Sequence, residues 1–482
     1  MSLIQLTREV QRFGDVYMSD YFVEDHWTNL PTSIRSYFDR LIASASSTKT
    51  VVDVVEGLLD RNSLRLWPTT EVPPLLLISL KVAINVHALP QHKSIQSPND
   101  ITRVLGLTNS VAYPKFDRLQ NSQKWIIKGI KKKKLHEIER VNELIILLTE
   151  LCKEQGMQID EIVDIGAGIG HLSRILSIHL TIPIQTVEGN EQYVRTAVDL
   201  DVKTQKAAKH KGSELQVPNR RAVFINEHKQ IGNKPNANSL LVGLHTCGDL
   251  SPIIIRSFVS NSNAKSLVNF GCCYHNLNGG HDKTLVDFTE LASTSYSGFP
   301  MSNQYADVKL TYASRELACS DNERFLDRLR QSTKEDGVLF VNPYRAALEW
   351  LVLGLYDDTK EHILDPLARH QRMRPVKHAT QMDFWSYAKL TTTDRPEQQK
   401  LIERLETNKL VREKIEQMMS ESKYRVLLLY ALRQMVAPVI ESLILVDRKT
   451  FLEEMGNRVF LIPLFDSFLS PRNLALIAIK RS

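Results

Sequence analysis

Cysteine is scarce in this sequence: 482 residues contain five, an odd number. So few thiols in so long a chain do not suggest a disulfide framework, and they indicate a reducing compartment. The first residues, MSLIQLTREVQRF, lack the cationic start and apolar stretch of a signal peptide. We therefore expect an intracellular protein, cytoplasmic or nuclear.

Long apolar runs and a strong excess of one charge are also missing. The longest apolar runs, such as residues 73–80 and 426–430, are far shorter than the roughly 20 residues that span a bilayer, so we expect no membrane insertion. The net charge of +6 is mild, and composition alone does not indicate nucleic-acid binding. A hydrophobic content of 43% and a length of 482 residues predict a globular protein of about two or three domains.

Residues 161–190, EIVDIGAGIGHLSRILSIHLTIPIQTVEGN, are the most informative stretch. Their pattern predicts a buried strand, a glycine turn, a helix, and a second short strand that ends at Glu188. Glycines let the backbone turn sharply and approach a ligand closely. An acid about 20 residues downstream, at the end of the second strand, is where a ribose diol would be held. The stretch therefore predicts a nucleotide site.

The spacing of the glycines distinguishes between nucleotides. The dinucleotide fingerprint needs a third glycine where this sequence has His171. The glycines here are Gly166, Gly168 and Gly170, and Asp164 stands at the strand tip before them. This arrangement resembles motif I of the Rossmann-like S-adenosylmethionine (SAM) methyltransferases. A carboxylate at the strand tip suits a cationic, phosphate-free cofactor better than a pyrophosphate, because like charges repel.

The rest of the sheet is predicted from short apolar stretches. Further strands are expected at residues 221–226, 239–244, 266–270, 459–465 and 474–479. Strands that alternate with helices indicate parallel βαβ units. The last two strands would form an antiparallel hairpin, which also ends the sheet of SAM methyltransferases, and Gly456 would close the helix predicted before it, at 437–455.

Four segments follow from this pattern. Residues 1–120 predict a helical N-terminal lobe, in which residues 22–41 have helix-like spacing and Pro31 suits a helix start. A methyltransferase core follows at 121–280 and is completed by 437–482. Residues 281–436, helical and polar, are too long for a plain connection and predict an insertion. The predicted fold is α/β: a Rossmann-like class I methyltransferase sheet with a helical N-terminal lobe and a helical insertion before the final β-hairpin.

Basic stretches raise the question of an anionic partner. They are residues 128–134 (KGIKKKK), residues 203–211 (KTQKAAKHK) followed by Arg220 and Arg221, and a cluster of Arg369, Arg372, Arg374 and Lys377. The simplest interpretation of the first is a solvated helix start. Lysines there oppose the helix dipole, however, which raises the odds of contact with RNA.

Two polar motifs follow predicted strands, HTCGD at 245–249 and GCCYHN at 271–276. Ligands of open α/β sheets bind at the carboxyl ends of the strands. The polar residues that we expect to line a substrate pocket and to carry catalysis are His245, Asp249, Tyr274 and His275. Either histidine could take a proton from a substrate nucleophile while the methyl group moves.

Three cysteines, Cys247, Cys272 and Cys273, share these strand ends. Thiolate and imidazole ligands suit zinc. Adjacent cysteines on a strand point to opposite faces, however, and we assign no metal ligand. The alternatives are a covalent nucleophile at Cys247 or Cys272, as in cytosine-C5 methylation, and a small buried residue in a tight core.

As a set, these motifs carry a family resemblance. GLHTCGDL and GCCYHN, with KLHE at 134–137 and SPRN at 470–473, resemble the methyltransferase-like twenty-five family, also called ribosomal RNA adenine dimethylase domain-containing proteins. The Cys-Cys-Tyr-His element is similar to one in the tRNA ribose methyltransferases of the thirteen type. The resemblance spans roughly residues 131–480 and implies a SAM-dependent methyltransferase. The cofactor-binding residues that we expect are Asp164, Gly166, Gly168, Gly170, Glu188 and His136.

The adenine part of the family name is not supported by the sequence. Adenine-N6 enzymes place an Asn/Asp-Pro-Pro-aromatic motif after the fourth strand, where this chain has residues 244–247, LHTC. The similar string Asn342-Pro343-Tyr344 lacks the second proline and predicts a turn in the insertion. We expect a methyltransferase acting on RNA. The alternatives are a protein methyltransferase and a non-catalytic protein that keeps the fold for binding.

Overall fold

The computed structural model describes most of the chain. The described residues are 2–61, 71–90, 95, 97–107, 129–210, 215–225, 231, 237–280, 298–331, 337–357 and 376–481. They form two compact units. The first takes its described residues from Met1–Ala88 and Leu310–Ser442, and the second from Leu89–Gly280, Phe288–Lys309 and Leu443–Ser482. The four segments expected from the sequence stay a prediction.

The second unit is built on a seven-stranded sheet. Its strands are β1 Glu161–Ile165, β2 Ile184–Glu188, β3 Asn219–Ala222, β4 Ser239–Cys247, β5 Ala264–Cys272, β6 Arg458–Pro463 and β7 Leu474–Ile479. They lie in the order β3-β2-β1-β4-β5-β7-β6, with β1 to β5 parallel and β7 antiparallel to both neighbours. The predicted α/β fold class, with its terminal hairpin, is confirmed. The strand order reverses between β1 and β4, which is where open sheets of this kind bind ligands.

Helices flank the sheet and form the first unit. In chain order they are α1 Leu3–Gly14, α2 Thr32–Ser44, α3 Thr48–Leu59, α4 Leu75–His87, α5 Pro98–Leu105, α6 Lys132–Glu154, α7 His171–His179, α8 Glu191–Lys209, α9 Leu250–Ser260, α10 Tyr312–Leu317, α11 Asn322–Gln331, α12 Gly337–Val352, α13 Phe384–Thr391, α14 Pro396–Glu406 and α15 Lys409–Glu454. A 3-10 segment, Tyr274–Gly280, follows β5.

Alternation along the strands gives the sheet two apolar faces. Ile162 and Val242 point into a core formed with α5, α6 and α7. Val163 and Leu241 point into the opposite core, with α9 and the end of α15. Successive side chains of a strand face opposite sides, so a strand buried on both sides reads as a continuous apolar run. This is why the central strands could be found in the sequence.

The strand bounds differ from the prediction where pairing, rather than hydrophobicity, sets them. Among the described strands, β3 at the sheet edge pairs only with β2, and it spans Asn219–Ala222. The strand predicted at 221–226 therefore began two residues too late and continued past the end of β3. Beyond an irregularity between Gly243 and Thr246, β4 and β5 continue to pair, with Cys247 opposite Cys272. The predicted ends at residues 244 and 270 were therefore too early.

The first unit corrects two predictions. Residues 22–30 form turns rather than the start of a helix, and α2 begins at Thr32 with Pro31 as its N-cap. A proline disfavours the helical conformation of the residue before it, which separates the two stretches. Asn342-Pro343-Tyr344 lies inside α12 and not in a turn. Tyr344 packs there among Leu348, Phe384 and Ile415 in the core of this unit.

The 46-residue helix α15 belongs to both units. The helix predicted at 437–455 is its C-terminal part, and Gly456 follows it in a left-handed conformation (φ +78°). By length and composition α15 contains a stretch apolar enough to cross a membrane, but 89% of that stretch is buried inside the protein. The core helix of a soluble protein has the same properties, so this is weak evidence for a membrane span.

Candidate functional site

The backbone after β1 forms a glycine bend. Gly166, Gly168 and Gly170 all have positive φ, of 69°, 56° and 74°, a conformation that favours glycine. A Cβ added at Gly168 would have no described atom within 4 Å, whereas one at Gly170 would lie 2.0 Å from the guanidinium of Arg220. The bend is therefore closed by protein at Gly170 and open at Gly168, where a ligand has room.

Glu188 faces this bend from the end of β2. Its Oε2 accepts a hydrogen bond from the backbone N–H of Gly168 at 2.8 Å, and its Oε1 accepts one from Asn190 at 2.9 Å. A carboxylate oxygen can accept two hydrogen bonds, so both oxygens keep capacity for hydroxyl donors. The predicted acid and the predicted glycine turn are thus brought together.

Asp164 lies at the tip of β1, beneath the bend, and is 2% exposed. Burial raises the pKa of its carboxyl group to about 6, although the charges of Arg220 and Lys134 lower it. Its Oδ2 atom is buried, and no described residue donates a hydrogen bond to it. Buried polar atoms in folded proteins are rarely left without a partner. This oxygen is therefore consistent with a site completed by a polar or cationic ligand.

A buried ion cluster supports the bend from behind, and sequence reasoning missed it. Asp201 on α8 accepts from Arg174 Nε on α7 and from Arg220 Nε on β3, both at 2.8 Å. All three side chains are at most 7% exposed. Arg220 also donates to Ser173 Oγ at 2.8 Å. Arg220, grouped in the sequence with a basic stretch, is thus an internal support and not part of a basic surface.

A second polar group forms where three sequence motifs meet. Glu137 on α6, 1% exposed, accepts hydrogen bonds from His245 Nε2 at 2.9 Å and from Ser470 Oγ at 2.7 Å. Lys134 Nζ lies 3.7 Å from the same carboxylate. Burial acts to raise the pKa of Glu137, but these hydrogen bonds and the lysine charge outweigh it and hold the pKa below its ordinary value. An ionised Glu137 therefore stands behind His245.

His245 is held in an unusual backbone conformation at the irregular end of β4. Its φ is +64°, a left-handed value that is uncommon outside glycine. Such residues persist where surrounding structure fixes them, and they cluster at functional sites. Here Glu137 fixes the ring while the side chain stays 30% exposed. The KLHE motif contains Glu137, but its role as the partner of His245 could not be assigned without the fold.

The other predicted site residues have mainly structural contacts. Asp249 accepts from the backbone of Asn278 and Gly279, at 2.9 and 2.8 Å. Tyr274 is 1% exposed, with the Arg448 guanidinium over its ring at 5.6 Å. These contacts stabilise the loop after β5 rather than leave the side chains free in a pocket. The half-buried His275 follows in the same segment. Catalytic roles for all three stay predictions.

His136, expected at the cofactor, is tied to the final hairpin. Its Nε2 accepts from the backbone N–H of Asp466 at 3.0 Å, and its ring meets Phe465 edge to face. Burial and the nearby Arg140 charge lower its pKa, which favours the neutral ring that accepts this bond. The neighbouring Lys134 is the residue of this motif whose charge acts on Asp164.

Three thiols cluster at the ends of β4 and β5. Cys247 Sγ lies 3.1 Å from Cys272 Sγ, and the sulfur of Cys273 is within 4.8 Å of both. The expectation that adjacent cysteines diverge was wrong, because Cys273 lies beyond the strand end with φ +49°. Hydrogen bonds from the thiols of Cys247 and Cys272 lower the pKa of Cys273, and hydrogen bonds with Cys247 and Cys273 raise the pKa of Cys272.

Comparisons with known proteins agree with this geometry. Residues 133–280 match a family profile described as a methyltransferase domain. The chain is 30% identical over 310 residues to the probable methyltransferase-like protein 25 of Homo sapiens, covering 62% of this chain and 47% of that protein. The Mus musculus counterpart is 28% identical over 312 residues, with 62% and 48% covered. The chain thus spans about half the length of the curated relatives it matches.

Two solved methyltransferases show weaker likeness. The magnesium protoporphyrin IX methyltransferase of Synechocystis PCC 6803 with bound SAH has a TM-score of 0.19 and 16% identity, covering 41% of this chain and 72% of that one. Coclaurine N-methyltransferase, bound to N-methylheliamine and SAH, has a TM-score of 0.20 and 9% identity, covering 91% and 96%. Neither curated name mentions adenine dimethylation, and what the comparisons identify in this chain is a methyltransferase domain at residues 133–280.

Proposed function

We propose that this chain is a SAM-dependent methyltransferase. The observation that carries the proposal is the open glycine bend at Gly168, with Glu188 on one side and, beneath it, the Oδ2 of Asp164, which accepts a hydrogen bond from no described residue. Glu188 would accept from a ribose diol, and Asp164 would complement a cationic ligand. SAM is a cationic nucleoside, and when bound it supplies an activated methyl group. The match of residues 133–280 to a methyltransferase domain supports the same conclusion.

His245 is the residue best placed to handle a proton. When its Nε2–H donates to Glu137, the other ring nitrogen, Nδ1, is left as the acceptor. Glu137 then orients the ring and stabilises the imidazolium that would form on taking a proton from a substrate nucleophile. His245→Ala should slow methyl transfer by about 10²- to 10⁴-fold, with SAM affinity unchanged.

RNA is the substrate class that we propose. Lys132 and Lys133 are exposed in the first turn of α6, where the helix dipole disfavours them. In the same turn, the Nζ atoms of Lys133 and Lys134 lie 3.9 and 3.7 Å from the carboxylate of Glu137, so a basic surface adjoins the His245 group. The lysines of α8, Lys203, Lys206 and Lys209, are also exposed. In the third predicted cluster only Lys377 belongs to the described residues, and Arg369, Arg372 and Arg374 lie outside them.

The test uses extracts of cells that lack this protein. The purified full chain is incubated with the extract and with SAM that carries a labelled methyl group, and RNA and protein are then separated. We expect the label in the RNA fraction. His245→Ala should give little label, and Glu150→Gln, which removes one carboxylate from the same helix as Glu137, should behave as the unaltered chain. Label in protein alone would replace the RNA proposal with a protein methyltransferase. Label in neither fraction would contradict the enzyme.

A further inference from the structure

The three thiols of Cys247, Cys272 and Cys273 converge from two strand ends. Cys247 and Cys272 are direct partners in the β4–β5 register. Cys273 joins them through its left-handed backbone, which turns the second of two adjacent cysteines to the side of the first. Three of the five cysteines in 482 residues therefore meet in one place.

The backbone around the cluster is fixed at close range. Gly248, directly after Cys247, has φ +53° and donates its N–H to the carbonyl of Cys272 at 3.0 Å. A Cβ there would lie 2.8 Å from the backbone oxygen of Asn276. His245, two residues before Cys247, and Cys273 itself are non-glycine residues with positive φ. Such conformations persist only where the surrounding structure over-determines them, and they mark functional sites.

We propose that Cys247, Cys272 and Cys273 bind a zinc ion. Thiolates are soft ligands, and zinc is among the metals that they select. With a Zn–S bond of about 2.3 Å and tetrahedral angles, two thiolates lie about 3.8 Å apart. The observed sulfur separations, 3.1 Å between Cys247 and Cys272 and no more than 4.8 Å for any pair, are compatible with this value. Small side-chain movements would therefore bring all three sulfurs to zinc.

A disulfide explains the geometry less well. It would need a sulfur separation of about 2.05 Å, whereas the sulfurs of Cys247 and Cys272 lie 3.1 Å apart, and it would join only two of the three thiols. A disulfide would not account for the left-handed turn at Cys273, which brings the third thiol close to the other two. A zinc ion would bind all three thiols.

Three protein ligands leave one position of a tetrahedral ion open. Catalytic zinc sites have this pattern, and the open position holds water or a substrate atom whose proton the ion makes easier to remove. Cys247 is exposed and Cys272 is buried, so the cluster lies at the protein surface with one side accessible. Cys247 Sγ is 3.6 Å from the backbone carbonyl oxygen of His245, so the ion would lie beside the backbone of the residue whose side chain contacts Glu137.

The test is the metal content of the full chain, purified under reducing conditions without chelator. Elemental mass spectrometry should find about one zinc ion per chain. Cys247→Ser and Cys273→Ser should lose most of it, while Cys319→Ser, which removes a thiol of the first unit, should keep it. Replacement of zinc by cobalt should give a sulfur-to-cobalt charge-transfer band in the unaltered chain and in Cys319→Ser only.

Zinc content that is equally low in the unaltered chain and in Cys247→Ser, with no charge-transfer band, would overturn the proposal. A Cys247–Cys272 disulfide found by mass spectrometry in metal-free protein prepared without oxygen would also overturn it. Should a serine variant not fold, thiol alkylation of the unaltered chain decides: removal of zinc must expose three thiols together. SAM binding does not enter these measurements, so a missing zinc ion with intact SAM binding would leave the proposed function standing.

Discussion

Asp164 is a carboxyl group that folding places where its ionised form is unfavourable. Burial raises its pKa from 3.8 to about 6. The folded state therefore holds this proton more tightly than the unfolded state, and the free energy of unfolding falls as pH rises from about 4 to 6. The sequence identified the position from its place before the glycines, but only the fold shows that one of its oxygens has no hydrogen-bond partner in the part of the chain that the structure describes.

Replacing Asp164 by asparagine should stabilise the protein at neutral pH. Asparagine cannot ionise, so Asp164→Asn should remove the fall in stability between pH 4 and 6. It should raise the free energy of unfolding at pH 7 by about 2–3 kcal/mol while weakening SAM binding. Urea unfolding at a series of pH values measures the first effect. The exposed Asp199→Asn on α8 is the control, and an identical pH profile for Asp164→Asn and the unaltered chain would contradict the account.

At the scale of elements, the buried Arg174–Asp201–Arg220 cluster joins α7, α8 and β3 behind the glycine bend. Removal of Asp201 leaves two buried guanidinium groups without their anion. We expect Asp201→Ala to lower the free energy of unfolding by about 3–5 kcal/mol, measured by urea unfolding. Glu191→Ala, which breaks an exposed ion pair with Arg195 on the same helix, should cost at most about 1 kcal/mol. Equal losses of unfolding free energy in Asp201→Ala and Glu191→Ala would contradict the stabilising role of the buried cluster.

The N-terminal turn of α6 supports a prediction about RNA. Each lysine that contacts a phosphate contributes about 0.7 to the slope of log affinity against log salt for a single strand. Lys131→Ala with Lys132→Ala, both exposed, should therefore reduce this slope by about 1.4. Helix stability should not fall, because lysines at a helix start are unfavourable and the two lysines beside Glu137, Lys133 and Lys134, are kept. Filter binding of labelled RNA at several salt concentrations measures the slope. The control is Lys409→Ala with Lys414→Ala, which removes two exposed lysines at the start of α15 and should leave the slope unchanged. Equal slopes for the unaltered chain and both double variants would contradict RNA contact through α6.

At the scale of the whole molecule, the sequence predicted the sheet better than the helices around it. Strands buried on both faces can be recognised in the sequence as apolar runs. The bounds of β7, Leu474–Ile479, were predicted without error. The continuity of α15 could not be predicted, because Pro438 inside it is more typical of a helix start than of a helix interior. The site was predictable wherever local spacing defines it, as at the glycines and Glu188. Contacts distant in sequence, such as Glu137 with His245 and Ser470, required the fold.

The central claim, a SAM site between Glu188 and the glycine bend, is tested most directly by calorimetric titration of the full chain with SAM. The unaltered chain should bind one SAM. Loss of charge-assisted hydrogen bonds to the ribose, worth about 1.5–3 kcal/mol, should make Glu188→Ala bind at least about tenfold more weakly. Glu191→Ala, three residues along the chain, should bind as the unaltered protein does. No binding by the unaltered chain, or equal affinity in Glu188→Ala, would contradict the account.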